Sequence, residues 1–214
     1  QKMDFEGKWM SLDNLLEKGV VFTNAHSSAS VCAPTRYALL TGNHVYRGRN
    51  PGGTWGHFSG SQIVSGQQTL ADVLSRAGYS TAFFGKSHLG STFFKSDGTN
   101  ANGFHDADLS QRFHDGPIDH GFEYSLTLPA GIQSEPYAFF KNDRLARWDN
   151  KQKSWQHFTD DGTARSFFKV TAQKSKKIAY GMDNWSTESV GPLLVHDAFA
   201  FIDRHVATRG KEKP

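Results

Sequence analysis

Cys32-Ala33-Pro34-Thr35-Arg36-Tyr37-Ala38-Leu39-Leu40-Thr41-Gly42 is the stretch from which the rest of this 214-residue chain is read. Cys32 is the single cysteine. A solitary cysteine usually serves as a small buried hydrophobe, so its neighbours decide its meaning. Pro34 suits the first turn of a helix, where its missing N–H would be unpaired anyway, and Gly42 is placed to close that helix. The cysteine therefore falls at a helix N-terminus, where a thiolate is a competent nucleophile. Arg36 follows one helical turn later, so the two side chains can address the same volume. With roughly five per cent usage for Pro, Arg and Thr and seven for Gly, these four residues reach these four offsets by chance on the order of one time in 100,000.

Upstream, Trp9 to Gly19 spaces its apolar residues at helical intervals and ends on a glycine, which predicts an amphipathic helix. Val20-Val21-Phe22-Thr23 predicts a short buried strand, and a polar loop from Asn24 to Val31 leads to Cys32. Downstream, residues 43 to 68 are glycine-rich and aperiodic, an extended loop. Thr69 predicts the cap of a helix with Leu70, Val73, Leu74 and Ala77 on its apolar face, stopped by Gly78, and Tyr79 to Phe84 predicts a strand. Helix then strand, twice over, points to a parallel α/β sheet.

Ser91 to Gly121 is rich in Gly, Asp, His and Asn, which predicts a long surface excursion near the site. Residues 137 to 158 alternate aromatic and polar around Asp149-Asn150, which predicts a small β-hairpin outside the main sheet. A last helix is predicted from Thr187 to Val206, with Leu194, Ala198, Phe201, Ile202 and Val206 along one face.

A hydrophobic content of 37% and an aromatic content of 13% can fill the core of one large domain. The net charge of +3 is spread along the chain and forms no basic block, which argues against a nucleic-acid partner. No apolar run has the length of a membrane span, and Gln1-Lys2-Met3-Asp4 lacks the layout of a signal peptide. One cysteine excludes an internal disulfide framework and any paired-cysteine metal site.

A second block, Gly85-Lys86-Ser87-His88-Leu89-Gly90, directly follows the strand ending at Phe84. If the backbone stays extended, Lys86 and His88 project to one side. They also leave from a strand end, where open α/β sheets place their ligand crevice.

The first block resembles the signature of the type I sulfatases, Cys-x-Pro-x-Arg followed by Thr-Gly, and the second resembles that family's Gly-Lys-Trp-His-Leu-Gly, with Ser87 where Trp is common. Asp119-His120-Gly121-Phe122-Glu123-Tyr124 resembles a mainly structural family segment, Gly-Phe-Asp-Tyr. The resemblance is strong over residues 9 to 90, moderate from 117 to 145 and weak beyond. It implies the α/β sandwich of the alkaline phosphatase superfamily, with a mostly parallel central sheet. Residues 1–214 would be part of the catalytic domain, truncated at both ends, with a loop-rich insert over 91–186 and a helix over 187–206.

The resemblance further implies hydrolysis of sulfate monoesters. Cys32 would be oxidised to formylglycine by a maturation enzyme. One hydroxyl of the hydrated aldehyde attacks sulfur, and deprotonation of the second expels sulfate. Arg36 would hold the hydrate and neighbouring carboxylates, Lys86 would bind formylglycine and sulfate oxygens, and His88 would hydrogen-bond the hydrate. A divalent cation, calcium ahead of magnesium, would bind residue 32 as formylglycine. Its carboxylate ligands, an upstream Asp-Asp pair and a later Asp-Asn or Asp-His pair, have no match here, so the fragment alone is expected to be inactive. The implied setting is periplasmic, secreted or lysosomal.

Two alternatives stay open: a phosphonate monoester or phosphodiester hydrolase of the same superfamily, and a non-catalytic sulfatase-like protein. His105, Asp106, Asp108, His114 and Asp115 read as a polar loop rather than as metal ligands. His196 reads as a packed or surface residue. His26 and His44 lie near Cys32 in sequence, which does not bring either to the site.

Overall fold

A computed structural model describes residues 2–3, 9–10, 16–17, 19–158, 168–172 and 178–209. Strands β1 (Lys2–Met3) and β2 (Trp9–Met10) pair antiparallel. Trp9 and Met10 are thus extended, not the first turn of the helix expected over Trp9–Gly19; residues 11–15 and 18 of that expectation lie outside the described residues. Val20-Val21-Phe22 forms no strand. These side chains are 80%, 59% and 77% exposed, and β-branched residues hold a strand only where a neighbour completes the ladder.

Helix α1 (Cys32–Thr41) begins and ends where Pro34 and Gly42 predict. Gly42 adopts φ 67° and donates its N–H to the Ala38 carbonyl at 2.9 Å. Ala33 and Tyr37 pack against Trp55, Ile63 and Leu89, which pins the following glycine-rich loop. Helix α2 (Leu70–Arg76) opens with a reciprocal cap: the Thr69 hydroxyl accepts the Asp72 N–H at 3.1 Å, and the Asp72 carboxylate accepts the Thr69 N–H at 2.8 Å.

Strand β3 (Ala82–Lys86) starts later than the expected Tyr79. Thr81 is occupied with the Gly121 carbonyl and the Glu123 N–H, and pairing begins only where Ala82 meets Tyr124 of β4 (Tyr124–Leu128). Strands β5 (Phe139–Lys141), β6 (Arg144–Asp149) and β7 (Ser154–His157) continue the same sheet in the order β3-β4-β5-β6-β7. The expected outlying hairpin over 137–158 is therefore part of the main sheet. That sheet is mixed rather than mostly parallel: β3 and β4 are parallel, and the other pairs are antiparallel. Connection length is the reason. Only Asn142 and Asp143, both at positive φ, join β5 to β6, and so short a turn permits only an antiparallel neighbour. The chain from 87 to 123 is long enough for a parallel crossover. Strands β8 (Phe168–Ala172) and β9 (Ile178–Met182) form a separate antiparallel pair.

Successive residues of β5 face opposite sides of the sheet. Phe139 packs with Leu126, Leu128 and Val190 beneath helix α3 (Val190–Thr208). Phe140 packs with Phe93, Phe104, Phe113 and Leu145 on the other side. The segment 91–121 is thus no surface excursion, because its aromatics build a core. Its polar residues satisfy their own turns: Asp106 accepts the Asn102 and Gly103 N–H groups and Asp108 accepts that of Ser110, which lets an aperiodic backbone be covered. The last helix forms as expected, but Ile202 and Val206 are 51% and 63% exposed. It is tied down by Asp197, buried on α3, which accepts the Tyr124 hydroxyl at 2.5 Å and the Trp155 indole N–H at 3.1 Å. No helix among the described residues is long and apolar enough to cross a membrane.

Asp143 lies fully buried in the β5–β6 turn, accepting the Ile118 N–H at 3.1 Å, with Arg112 at 3.5 Å. Burial outweighs the Ile118 bond and the Arg112 charge and pushes its carboxyl up to about 7. Between the ordinary carboxylate range and about 7 the folded chain holds a proton that the unfolded chain has released, so this group's stabilisation is lost as pH rises through that window. Asp143→Asn is expected to flatten the fall in stability across that window, as measured by urea denaturation at a series of pH values. An unchanged pH slope would contradict the assignment.

Candidate active site

Cys32 is exposed at the first position of α1. Because Tyr37 and Ala33 dock α1 onto Leu89 and Trp55, the Gly85–Gly90 block passes directly beside the sulfur. Lys86 Nζ lies 3.6 Å from Cys32 Sγ, and His88 Nδ1 lies 3.5 Å from it. The Lys86 ammonium also donates to Gln133 Oε1 at 3.0 Å. Arg36 Nη1 donates to the Lys86 carbonyl at 2.6 Å, while its buried Nε has no partner among the described residues. All four residues singled out in the sequence, Cys32, Arg36, Lys86 and His88, are brought together.

The route differs from the expected one. The backbone does not stay extended through the block: β3 ends at Lys86, and His88 takes a left-handed φ of 52°, a conformation that costs a residue with a Cβ roughly 1–2 kcal/mol. The His88 N–H donates to the Pro129 carbonyl at 3.0 Å, and the Trp55 indole N–H donates to the His88 carbonyl at 2.9 Å.

Burial, then the Lys86 ammonium and more weakly Arg36, lower the pKa of His88 against the opposing effect of the Trp55 contact. His57, stacked on Phe104 at 5.3 Å, is pushed down to about 4 by burial and then by His88. The sulfur therefore faces the Lys86 ammonium and an imidazole whose pKa is lowered, with Arg36 held behind them at the Lys86 carbonyl. Such a set, at a helix N-terminus, suits an oxyanion.

It does not suit a divalent cation. Hard cations take carboxylate and carbonyl oxygens, and no group of three or more His, Cys, Asp or Glu among the described residues could hold a metal ion. The loop acids are engaged elsewhere: Asp115 accepts the Thr92 hydroxyl and Asp119 pairs with Arg112. His26 bonds Asn24, His44 stacks on Tyr46, His114 packs on Phe94 and His196 packs on Trp148.

Gln133, Trp55 and His57 were not found from the sequence. Gln133 reaches Lys86 across 47 positions with no motif around it. Trp55 carried a faint signal, a large aromatic set among Gly52, Gly53 and Gly56.

Ring-nitrogen NMR titration is expected to show His57 protonating near pH 4 and His88 protonating below the usual histidine range. Titration of His88 above that range would mean that the two cations do not surround it.

The sulfatase family profile matches residues 5–173. An N-acetylgalactosamine-6-O-sulfatase of Bacteroides thetaiotaomicron is 35% identical over 138 residues, covering 64% of this chain and 25% of that protein. Human arylsulfatase H is 32% identical over 145 residues, covering 64% and 23%. The chain spans about a quarter of the length of these relatives. A solved structure from work on the metabolism of multiple glycosaminoglycans by Bacteroides thetaiotaomicron matches the fold with a TM-score of 0.63 at 24% identity, over 95% of this chain and 43% of that one. With its α/β fold, its Cys32 block and a family match over most of its length, the chain belongs to the sulfatase family.

Proposed function

We propose that the protein containing this chain hydrolyses sulfate monoesters and that Cys32, oxidised to formylglycine by a maturation enzyme, is its nucleophile. The observation that carries this reading is the convergence of Lys86 Nζ and His88 Nδ1 on Cys32 Sγ, at 3.6 and 3.5 Å. Hydrated, the aldehyde supplies one hydroxyl to attack sulfur, which breaks the S–O ester bond and expels the alcohol, and a second whose deprotonation re-forms the carbonyl and releases sulfate, so no stable sulfated enzyme accumulates.

The surrounding side chains do the rest. The Lys86 ammonium offsets charge on the sulfate oxygens, and Gln133 Oε1 keeps it over position 32. His88, whose pKa is lowered by burial and by the Lys86 ammonium, can accept a proton at Nδ1 beside the reacting hydroxyl. Arg36 grips the Lys86 carbonyl and fixes the end of β3 against α1. These are preorganised donors, which act by stabilising charge as it develops. Among the described residues, the side chains around Cys32 do not provide a site for the family's divalent cation. We read residues 1–214 as part of the catalytic domain of an exported or lysosomal enzyme.

In the full-length parent made with a maturation enzyme, mass spectrometry of the peptide spanning Cys32 is expected to show the aldehyde; an unmodified thiol in an active preparation would overturn the nucleophile. Lys86→Ala and His88→Ala are each expected to lower turnover of an aryl sulfate by about a hundredfold to a thousandfold with little loss of folding. Near-normal turnover in both, or faster cleavage of an aryl phosphonate ester, would refute the reading. Calorimetric titration of the 214-residue chain with calcium and magnesium is expected to show no tight binding, and micromolar affinity would place ligands among the acids set aside above.

A further inference from the structure

We infer that Trp55 is a positioning residue for His88, holding its imidazole at position 32 through a hydrogen bond to the His88 backbone carbonyl. The kinetic meaning of this rests on the function proposed above; the geometry does not.

His88 sits in a backbone conformation that persists only where its surroundings over-determine it. Three constraints are visible. On the N-terminal side its N–H is held by Pro129 at 3.0 Å. On the C-terminal side the Leu89 carbonyl accepts the Gln62 N–H at 2.9 Å, and Gly90 lies so close to the Gly60 carbonyl that an added Cβ would stand 1.8 Å from its oxygen. The His88 carbonyl itself, the remaining free end of that peptide, is taken by the Trp55 indole at 2.9 Å.

Trp55 is suited to that task because it is itself immobilised. It is 8% exposed, lies edge-on to Tyr37 with ring centroids 6.3 Å apart, and shares a cluster with Ala33, Ile63 and Leu89. Ala33 and Tyr37 belong to the helix that carries Cys32. One apolar cluster therefore sets the position of the sulfur through α1 and of the imidazole through the indole N–H. A buried indole N–H needs an acceptor, and here the acceptor is the peptide from which the His88 ring projects. Trp55 touches His88 at two places, its indole N–H at the carbonyl and its backbone at the ring, so its effect on the reaction passes through His88.

Trp55→Phe keeps an aromatic ring in the cluster and deletes the donor. In the full-length parent with an aryl sulfate, it is expected to lower kcat about tenfold with KM unchanged, the size of one lost hydrogen bond. The loss is expected to vanish in a His88→Ala background. A crystal structure of Trp55→Phe is expected to show the His88 carbonyl turned from its present direction and Nδ1 withdrawn from residue 32. Unchanged kcat with His88 in place, or an equal loss in the His88→Ala background, would overturn the inference. Should Trp55→Phe fail to fold, the benzothiophene analogue of tryptophan, which keeps the shape and lacks the N–H, puts the same question. If the parent cleaves no sulfate ester, the functional proposal fails by itself, and the crystal structure still decides whether Trp55 holds His88.

Discussion

The packing of Tyr37 and Ala33 against Trp55, Ile63 and Leu89 is the contact on which the site depends. Full burial of one large apolar side chain stabilises by roughly 1.5–3 kcal/mol, and several are buried in this cluster. A hydrogen bond to a charged group contributes a comparable amount, about 1.5–3 kcal/mol, and a neutral one about 1 kcal/mol, so the number of side chains buried together decides. The apolar cluster therefore sets where α1 lies, and the Arg36 bond to the Lys86 carbonyl refines it. Without that docking Cys32 and His88, 56 positions apart, would have no reason to meet.

The rest of the fold serves as a frame for the strand that delivers Lys86. Strand β3 is held in parallel register by β4, and the sheet is covered on one face by α3 and on the other by the aromatics of 91–121. Two buried acids mark how each cover is attached. Asp197 ties α3 to Tyr124 and Trp155, and Asp143 ties the β5–β6 turn to Ile118 and Ser125. Such groups cost solvation and repay it through hydrogen bonds of fixed direction, so they specify which surfaces meet more than they add to stability.

Chemically, the surroundings of Cys32 are asymmetric. Lys86, Arg36 and an imidazole of lowered pKa favour an oxyanion, and the loop acids Asp115 and Asp119 are spent on Thr92 and Arg112. The buried Nε of half-buried Arg36, which has no partner among the described residues, belongs to the same imbalance. The side chains in contact with the sulfur are a cation and an imidazole, not carboxylates.

Much of this was legible because its causes are local. Pro34 and Gly42 set the ends of α1, and Thr69 starts α2, since a cap acts within one turn of the residues it satisfies. The four residues at the sulfur were legible for the same reason, as two short blocks with fixed internal spacing. What the sequence could not settle was every outcome decided by a distant partner. Val20 to Phe22 reads as a strand but lacks a neighbour among the described residues. The 137–158 hairpin reads as separate but finds the edge of β4. The polar composition of 91–121 conceals Phe93, Phe104 and Phe113, whose burial is visible only once β5 supplies Phe140. The sequence by itself determined both ends of α1 and the start of α2, and it singled out Cys32 as the candidate reacting group. Tertiary structure alone decided the mixed sheet, the left-handed turn at His88 and the contacts of Trp55 and Gln133, because strand pairing and indole-to-carbonyl contact are made between segments that no local spacing relates.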